Sequence, residues 1–87
     1  MLEEWIGEIV VIDLRSPYVC LGTLKGVHPD YLEMRNADLH DLRDTDTTRE
    51  NYIAASVATG IKRNRKKLLV MRSDMVAIAR LQDVVEV

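Results

Sequence analysis

A small, mainly β protein built on an antiparallel sheet is what this sequence predicts, on three observations. Short runs dense in β-branched and aliphatic residues recur along the chain, as buried strands require. Turn-forming residues separate them at short intervals, without the helical stretches and spacing of a parallel βαβ unit. Eighty-seven residues, finally, allow one domain spanning 1–87 and no more.

The first strand is expected over residues 6–14, where Ile9-Val10-Val11-Ile12 is continuously apolar and so fits a strand buried on both faces. Arg15-Ser16-Pro17 is the turn after it. Tyr18-Val19-Cys20-Leu21-Gly22-Thr23-Leu24 forms the second strand, in which Gly22 marks a bend or a close backbone approach. Gly26 and the His28-Pro29-Asp30 turn end it, and the third strand returns over residues 31–37. There Leu32, Met34 and Asn36 share one face, while Tyr31, Glu33 and Arg35 make the polar one.

From residue 37 to 49 the chain becomes acidic and polar. Thr47-Thr48-Arg49-Glu50 has capping-box spacing, and Gly60 suits a helix stop. Residues 47–60 therefore fit a short helix. A hairpin extension fits too, because Ile53, Ala55 and Val57 alternate. Beyond a basic run, Lys67-Leu68-Leu69-Val70-Met71-Arg72 is the fourth strand, Ser73-Asp74 a tight turn, and residues 75–81 the last strand. Strands joined this way make a small antiparallel barrel or sandwich.

Composition narrows the function classes. At 47% hydrophobic and 30% charged, the chain is globular rather than disordered. No window offers the roughly 18 uninterrupted apolar residues of a membrane span. Met1-Leu2-Glu3-Glu4-Trp5 is acidic where a signal peptide would be basic. The single cysteine, Cys20, lies in an apolar run and fits a small buried hydrophobe. Together these features lead us to expect a cytoplasmic protein. The net charge of −2 hides an asymmetry: residues 1–60 carry eleven acids and five bases, residues 61–87 seven bases and three acids. Five bases, Lys62, Arg63, Arg65, Lys66 and Lys67, form one patch. It could follow a phosphate backbone or simply solubilise the entry to a strand.

Two stretches resemble the Sm-like family. Gly22-Thr23-Leu24-Lys25-Gly26-Val27, with the turn and strand His28-Pro29-Asp30-Tyr31-Leu32-Glu33-Met34, is similar to the first Sm motif, over about 18–36. Val70-Met71-Arg72-Ser73-Asp74-Met75-Val76-Ala77-Ile78 is similar to the second, over about 66–82. The resemblance covers roughly residues 5–36 and 66–82 and leaves a variable insert at about 38–65. It implies a five-stranded, strongly bent antiparallel sheet closed as an SH3-like barrel, with an enlarged loop between strands three and four. Two departures stand out. Glu33 occupies the position of the family's base-binding Asn, and Ser73 that of the glycine after the family's Arg, which Arg72 matches.

The resemblance further implies a homo-oligomeric ring of about five to seven copies, closed head to tail through the edges of the last two strands. Those strands are apolar, free of proline and poorly defended against pairing. In such a ring the loops around residues 28–30 and 72–74 line the pore. His28, Asp30, Tyr31, Glu33, Arg72, Ser73 and Asp74 then become candidates for binding single-stranded RNA. Arg72 can stack on a base, His28 or Asp30 can bond a base edge, and Tyr31 offers a stacking face. Arg72 has a blander alternative, an ion pair with Asp30 or Asp74. The rival function is a protein-interaction scaffold that keeps the fold without RNA.

Nothing in the sequence supports an enzyme or a cofactor. His28 and His40 are the only histidines, and both fit solvated loop or strand positions. Asp38, Asp41, Asp44 and Asp46 lack the glycine and terminal glutamate of a calcium loop, so they suit a solvated acidic turn rather than a metal site.

Overall fold

In the computed structural model, which describes residues 1–44 and 46–85, five strands form a single antiparallel sheet. They are β1 (Ile9–Leu14), β2 (Tyr18–Val27), β3 (Tyr31–Asp41), β4 (Arg65–Met71) and β5 (Met75–Arg80). Their order across the sheet is β4-β3-β2-β1-β5. An α-helix, α1 (Arg49–Thr59), lies between β3 and β4, and a 3-10 turn over Leu2–Trp5 precedes β1. No helix among the described residues is long and apolar enough to cross a membrane.

The centre of the sheet is buried on both sides: Val10, Val11 and Ile12 of the apolar run are buried, whereas Ile9 at its start is 38% exposed. Val10, Ile12 and Leu14 of β1 pack with Cys20, Leu24, Leu32, Met34 and Val70 in one cluster. Met75 and Ile78 of β5 pack against the same cluster as Val70 of β4, so the sheet curls around it from both edges. Val11, Val19 and Leu21 face the other way, and Ile53 of α1 covers them. An 11-residue helix is marginal alone. This apolar contact helps to fix it.

β4 and β5 are the two outer strands, joined only through the 3-10 turn Arg72–Asp74. The sheet stays open, so the expected barrel closure is not present. Among the described residues each edge strand has one pairing partner, β3 for β4 and β1 for β5.

Three local readings change. β1 starts at Ile9 rather than residue 6, because Gly7 adopts φ +96°. Its N–H donates to the Leu24 carbonyl at 2.8 Å, and Leu24 N–H returns to the Glu8 carbonyl at 3.0 Å. β3 runs on to Asp41, through what reads in sequence as a polar loop. Its alternation breaks at Asn36, which has φ +49° and is exposed, whereas Ala37 and Asp38 are both buried. The β2–β3 register shifts there, between Leu21–Asp38 and Thr23–Arg35. Gly22 sits opposite this bulge, and a Cβ on it would lie 2.9 Å from both Ala37 Cα and Cβ. The close approach anticipated for Gly22 is therefore to the bulged backbone of β3.

Residues 47–60 resolve as helix, not hairpin. The cap is Thr48, one residue later than the capping-box spacing indicates, and its Oγ1 accepts the Asn51 N–H at 3.1 Å. Gly60 ends the helix at φ +94°, donating its N–H to the Ser56 carbonyl at 2.9 Å.

Candidate functional site

Three turns meet at one end of the sheet, and their backbones are bonded together. His28 N–H donates to the Tyr31 carbonyl at 3.0 Å, which closes the β2–β3 turn. Arg72 N–H donates to the Asp30 carbonyl at 2.9 Å, which ties the β4–β5 turn against it. Arg15 N–H donates to the Asp74 carbonyl at 2.8 Å, bringing in the β1–β2 turn. Tyr31 and Met71 form the last β3–β4 pair, so residues from both resembling stretches arrive side by side.

Within this cluster the rings of His28 and Tyr31 stack, with centroids 4.5 Å apart and planes at 22°. The missing side chain at Gly26 makes room: a Cβ there would approach His28 Nε2 to 3.0 Å. Arg72 reaches across and donates from Nη1 to the His28 carbonyl at 3.0 Å. Arg72 itself is exposed, as are Asp30 and Ser73. A flat aromatic surface and a cationic fork thus share one rim.

The acids of the rim are arranged differently from the sequence-based alternative. Among the described residues, Arg72 makes no ion pair with Asp30 or Asp74. Asp74 turns the other way, its Oδ2 accepting the Ser16 hydroxyl at 3.1 Å. Glu33 is held by Arg35, with Oε2 at 2.9 Å from Nε and 2.8 Å from Nη2. Arg35, a neighbour two residues along the same strand face, is the partner that sequence reasoning passed over.

The basic patch does not join this cluster. Lys62 and Arg63 lie in the segment after α1, and Arg65, Lys66 and Lys67 begin β4. Arg72 follows the far end of that strand. At about 3.3 Å per residue, roughly 20 Å separates the two.

A second polar assembly holds α1 down, and no motif signals it. Asp38, only 1% exposed, accepts a hydrogen bond from the Tyr52 hydroxyl and another from Asn64 Nδ2 at 3.2 Å. It is therefore a buried, bonded carboxylate and not part of a solvated acidic turn. Asn64 also engages Leu39 like an extra strand residue, Oδ1 accepting Leu39 N–H at 3.0 Å and Nδ2 donating to Leu39 O at 3.1 Å. His40 stacks on Tyr52 with centroids 3.8 Å apart and planes at 7°. Burial, then the bond to Asp38, pushes the Tyr52 hydroxyl above its ordinary value. Burial likewise pushes the Cys20 thiol up to about 12, with the Asp38 charge adding to it. Asn64 is hidden in sequence among the bases of the Lys62–Lys67 run.

Asp41 and Arg43 pair at 2.8 Å on the surface. The Arg43 side chain, then its backbone N–H, holds the Asp41 carboxyl down to about 2. Among the described residues no group of three or more His, Cys, Asp or Glu side chains could hold a metal ion. No protein-family model matches the chain, and comparison with curated proteins finds no significant relative.

Proposed function

We propose that this protein is a divergent Sm-like ring subunit that binds single-stranded RNA at the turn cluster. The observation that carries this reading is the placement of the two open edges. β4 and β5 flank the sheet and are joined by the turn that presents Arg72 beside the His28–Tyr31 stack. Pairing β4 of one copy with β5 of the next satisfies both edges. Continued around a closed rotation, it gathers one turn cluster per subunit about a pore. About five to seven copies would close such a ring.

Each cluster then offers a base a stacking face on the His28–Tyr31 pair and a guanidinium from Arg72. Asp30 supplies an exposed acceptor for a base edge. Glu33 is neutralised by Arg35, which lessens its repulsion of phosphate. The Lys62–Lys67 run, at the outer end of β4, would guide the strand's backbone away from the pore. In this reading the protein works in the cytoplasm, without catalysis.

Fluorescence anisotropy with short labelled oligoribonucleotides, at low and raised salt, tests the proposal. Arg72→Ala is expected to weaken binding about tenfold, within the roughly 1–3 kcal/mol assigned to one stacked base. Absent binding at low salt, or binding indifferent to Arg72→Ala, refutes the RNA site. Glu33 and Ser73, the two departures from the family pattern, favour a second reading in which the ring is a protein scaffold. Such a scaffold binds no oligonucleotide and engages its partner through the 38–65 insert.

A further inference from the structure

We infer that α1 and β5 of one copy form a groove that receives Leu69 and Met71 from β4 of the next copy. This deepens the ring reading above and rests on it. The groove holds about 560 Å³ and runs between the helix and the outer side of the β5 edge. Its apolar walls include Ile53 and Ala54 of α1, and its floor includes Ala77 and Ala79 of β5.

Register decides which side chains could enter it. In β4, Leu69 and Met71 pair with Glu33 and Tyr31, whereas the intervening Val70 pairs with Leu32 of the core. Leu69 and Met71 therefore point away from the core, and they are 45% and 47% exposed. In β5, Ala77 and Ala79 pair with Asp13 and Val11, and Val11 belongs to the cluster beneath α1. All four side chains thus lie on the outer face, the one that carries α1.

Directly opposed residues in an antiparallel pair point to the same side. Any in-phase pairing of β4 with a neighbour's β5 consequently sets large side chains against alanines, at a strand spacing of about 4.8 Å. Two alanines leave room where two larger residues would collide, and α1 roofs that room. Charge agrees with shape. Among the described residues Glu50 lines the groove without an ion pair, while Asp13 there is paired with Arg49 of α1 at 3.7 Å, and β4 contributes Arg65, Lys66 and Lys67 and no acid. The insert thereby becomes part of the seam between subunits and not merely a surface decoration.

Ala54→Arg obstructs the groove without touching either strand edge, and a dilution series read by light scattering after gel filtration measures the seam. The variant is expected to need about tenfold more protein for half-assembly, with an unchanged far-ultraviolet circular dichroism spectrum. A size exchange provides a second test that does not depend on Ala54. Ala79→Leu alone should weaken assembly similarly, and adding Leu69→Ala in the same chain should recover it to within about threefold of wild type. Wild type that assembles while Ala54→Arg assembles equally well, or an exchange that recovers nothing, overturns the groove and leaves the ring standing. Wild type that stays monomeric at every concentration overturns both.

Discussion

Gly22→Ala should destabilise this protein far more than Gly26→Ala, although both replace a glycine in β2. At Gly22 the new Cβ would sit 2.9 Å from Ala37 Cα and Cβ and 3.2 Å from the Arg35 carbonyl. Two of those three atoms are backbone, so no rotamer change can relieve the contact. β3 must withdraw by several tenths of an ångström, beside Asp38 and its bond to Tyr52. Overpacking of this kind costs about 1–3 kcal/mol. The lower entropy of the unfolded alanine chain returns about 0.4–1 kcal/mol, which leaves a net loss of roughly 1–2 kcal/mol. With a urea m-value of about 1 kcal/mol/M for a small domain, the midpoint should fall by about 1–2 M. At Gly26 the tightest contact is His28 Nε2 at 3.0 Å, the far end of a side chain that can swing aside. Gly26→Ala should cost less than about 0.5 kcal/mol in stability, but it displaces His28 from its stack on Tyr31. Equilibrium urea unfolding followed by Trp5 fluorescence measures both. Equal losses, or a Gly22→Ala midpoint at or above wild type, refute the packing argument.

Other outcomes follow from the same geometry. Asn64→Ala removes the partner of Leu39 N–H and one donor to Asp38; a loss of about 1–2 kcal/mol is expected, since Asn64 is itself exposed. Faster proteolysis within residues 42–64 should accompany it, and a urea midpoint equal to wild type would contradict the anchoring role. Alkaline stability should decline early, because the folded protein holds the Cys20 thiol at about 12 against an ordinary 9.0, and Tyr52 is also raised. A group raised on folding contributes fully below its unfolded value and loses that contribution as pH climbs toward the folded one. Stability should therefore fall between pH 9 and 12, and Cys20→Ala should flatten the lower part of that slope; parallel slopes would contradict the burial of the thiol. Thr48→Ala should cost about 1 kcal/mol through the lost bond to Asn51 N–H, read by urea unfolding, and no change would place the cap elsewhere.

Much of the strand pattern was legible because burial leaves a direct trace in composition. The run from Ile9 to Ile12 announces a strand covered on both sides, which holds for Val10, Val11 and Ile12 but not for the exposed Ile9, and Leu32 and Met34 announce the core face of β3. What the alternation rule could not show is the bulge at Asn36, where one residue in the left-handed region turns Asp38 inward. That single shift converts an apparent surface acid into the buried partner of Tyr52 and Asn64. The helix was equally ambiguous. Ile53, Ala55 and Val57 alternate as a strand would, and the helix is decided by its caps and by Ile53 docking on the far side of the sheet. At the turn cluster, the adjacency of His28, Tyr31 and Arg72 could be reached only through resemblance, because 41 positions separate Tyr31 from Arg72 in sequence. The ties of Glu33 to Arg35 and of Asp74 to Ser16 were not anticipated: each depends on which way a side chain turns, and spacing does not report that.

Native mass spectrometry of the purified protein, without nuclease treatment, tests the ring most directly. Assembly through β4 and β5 predicts one closed species of about five to seven copies, with additional nucleotide mass if RNA occupies the turn clusters. A lone monomer at micromolar concentration would contradict the ring and, with it, the shared pore to which the Arg72 cluster is assigned.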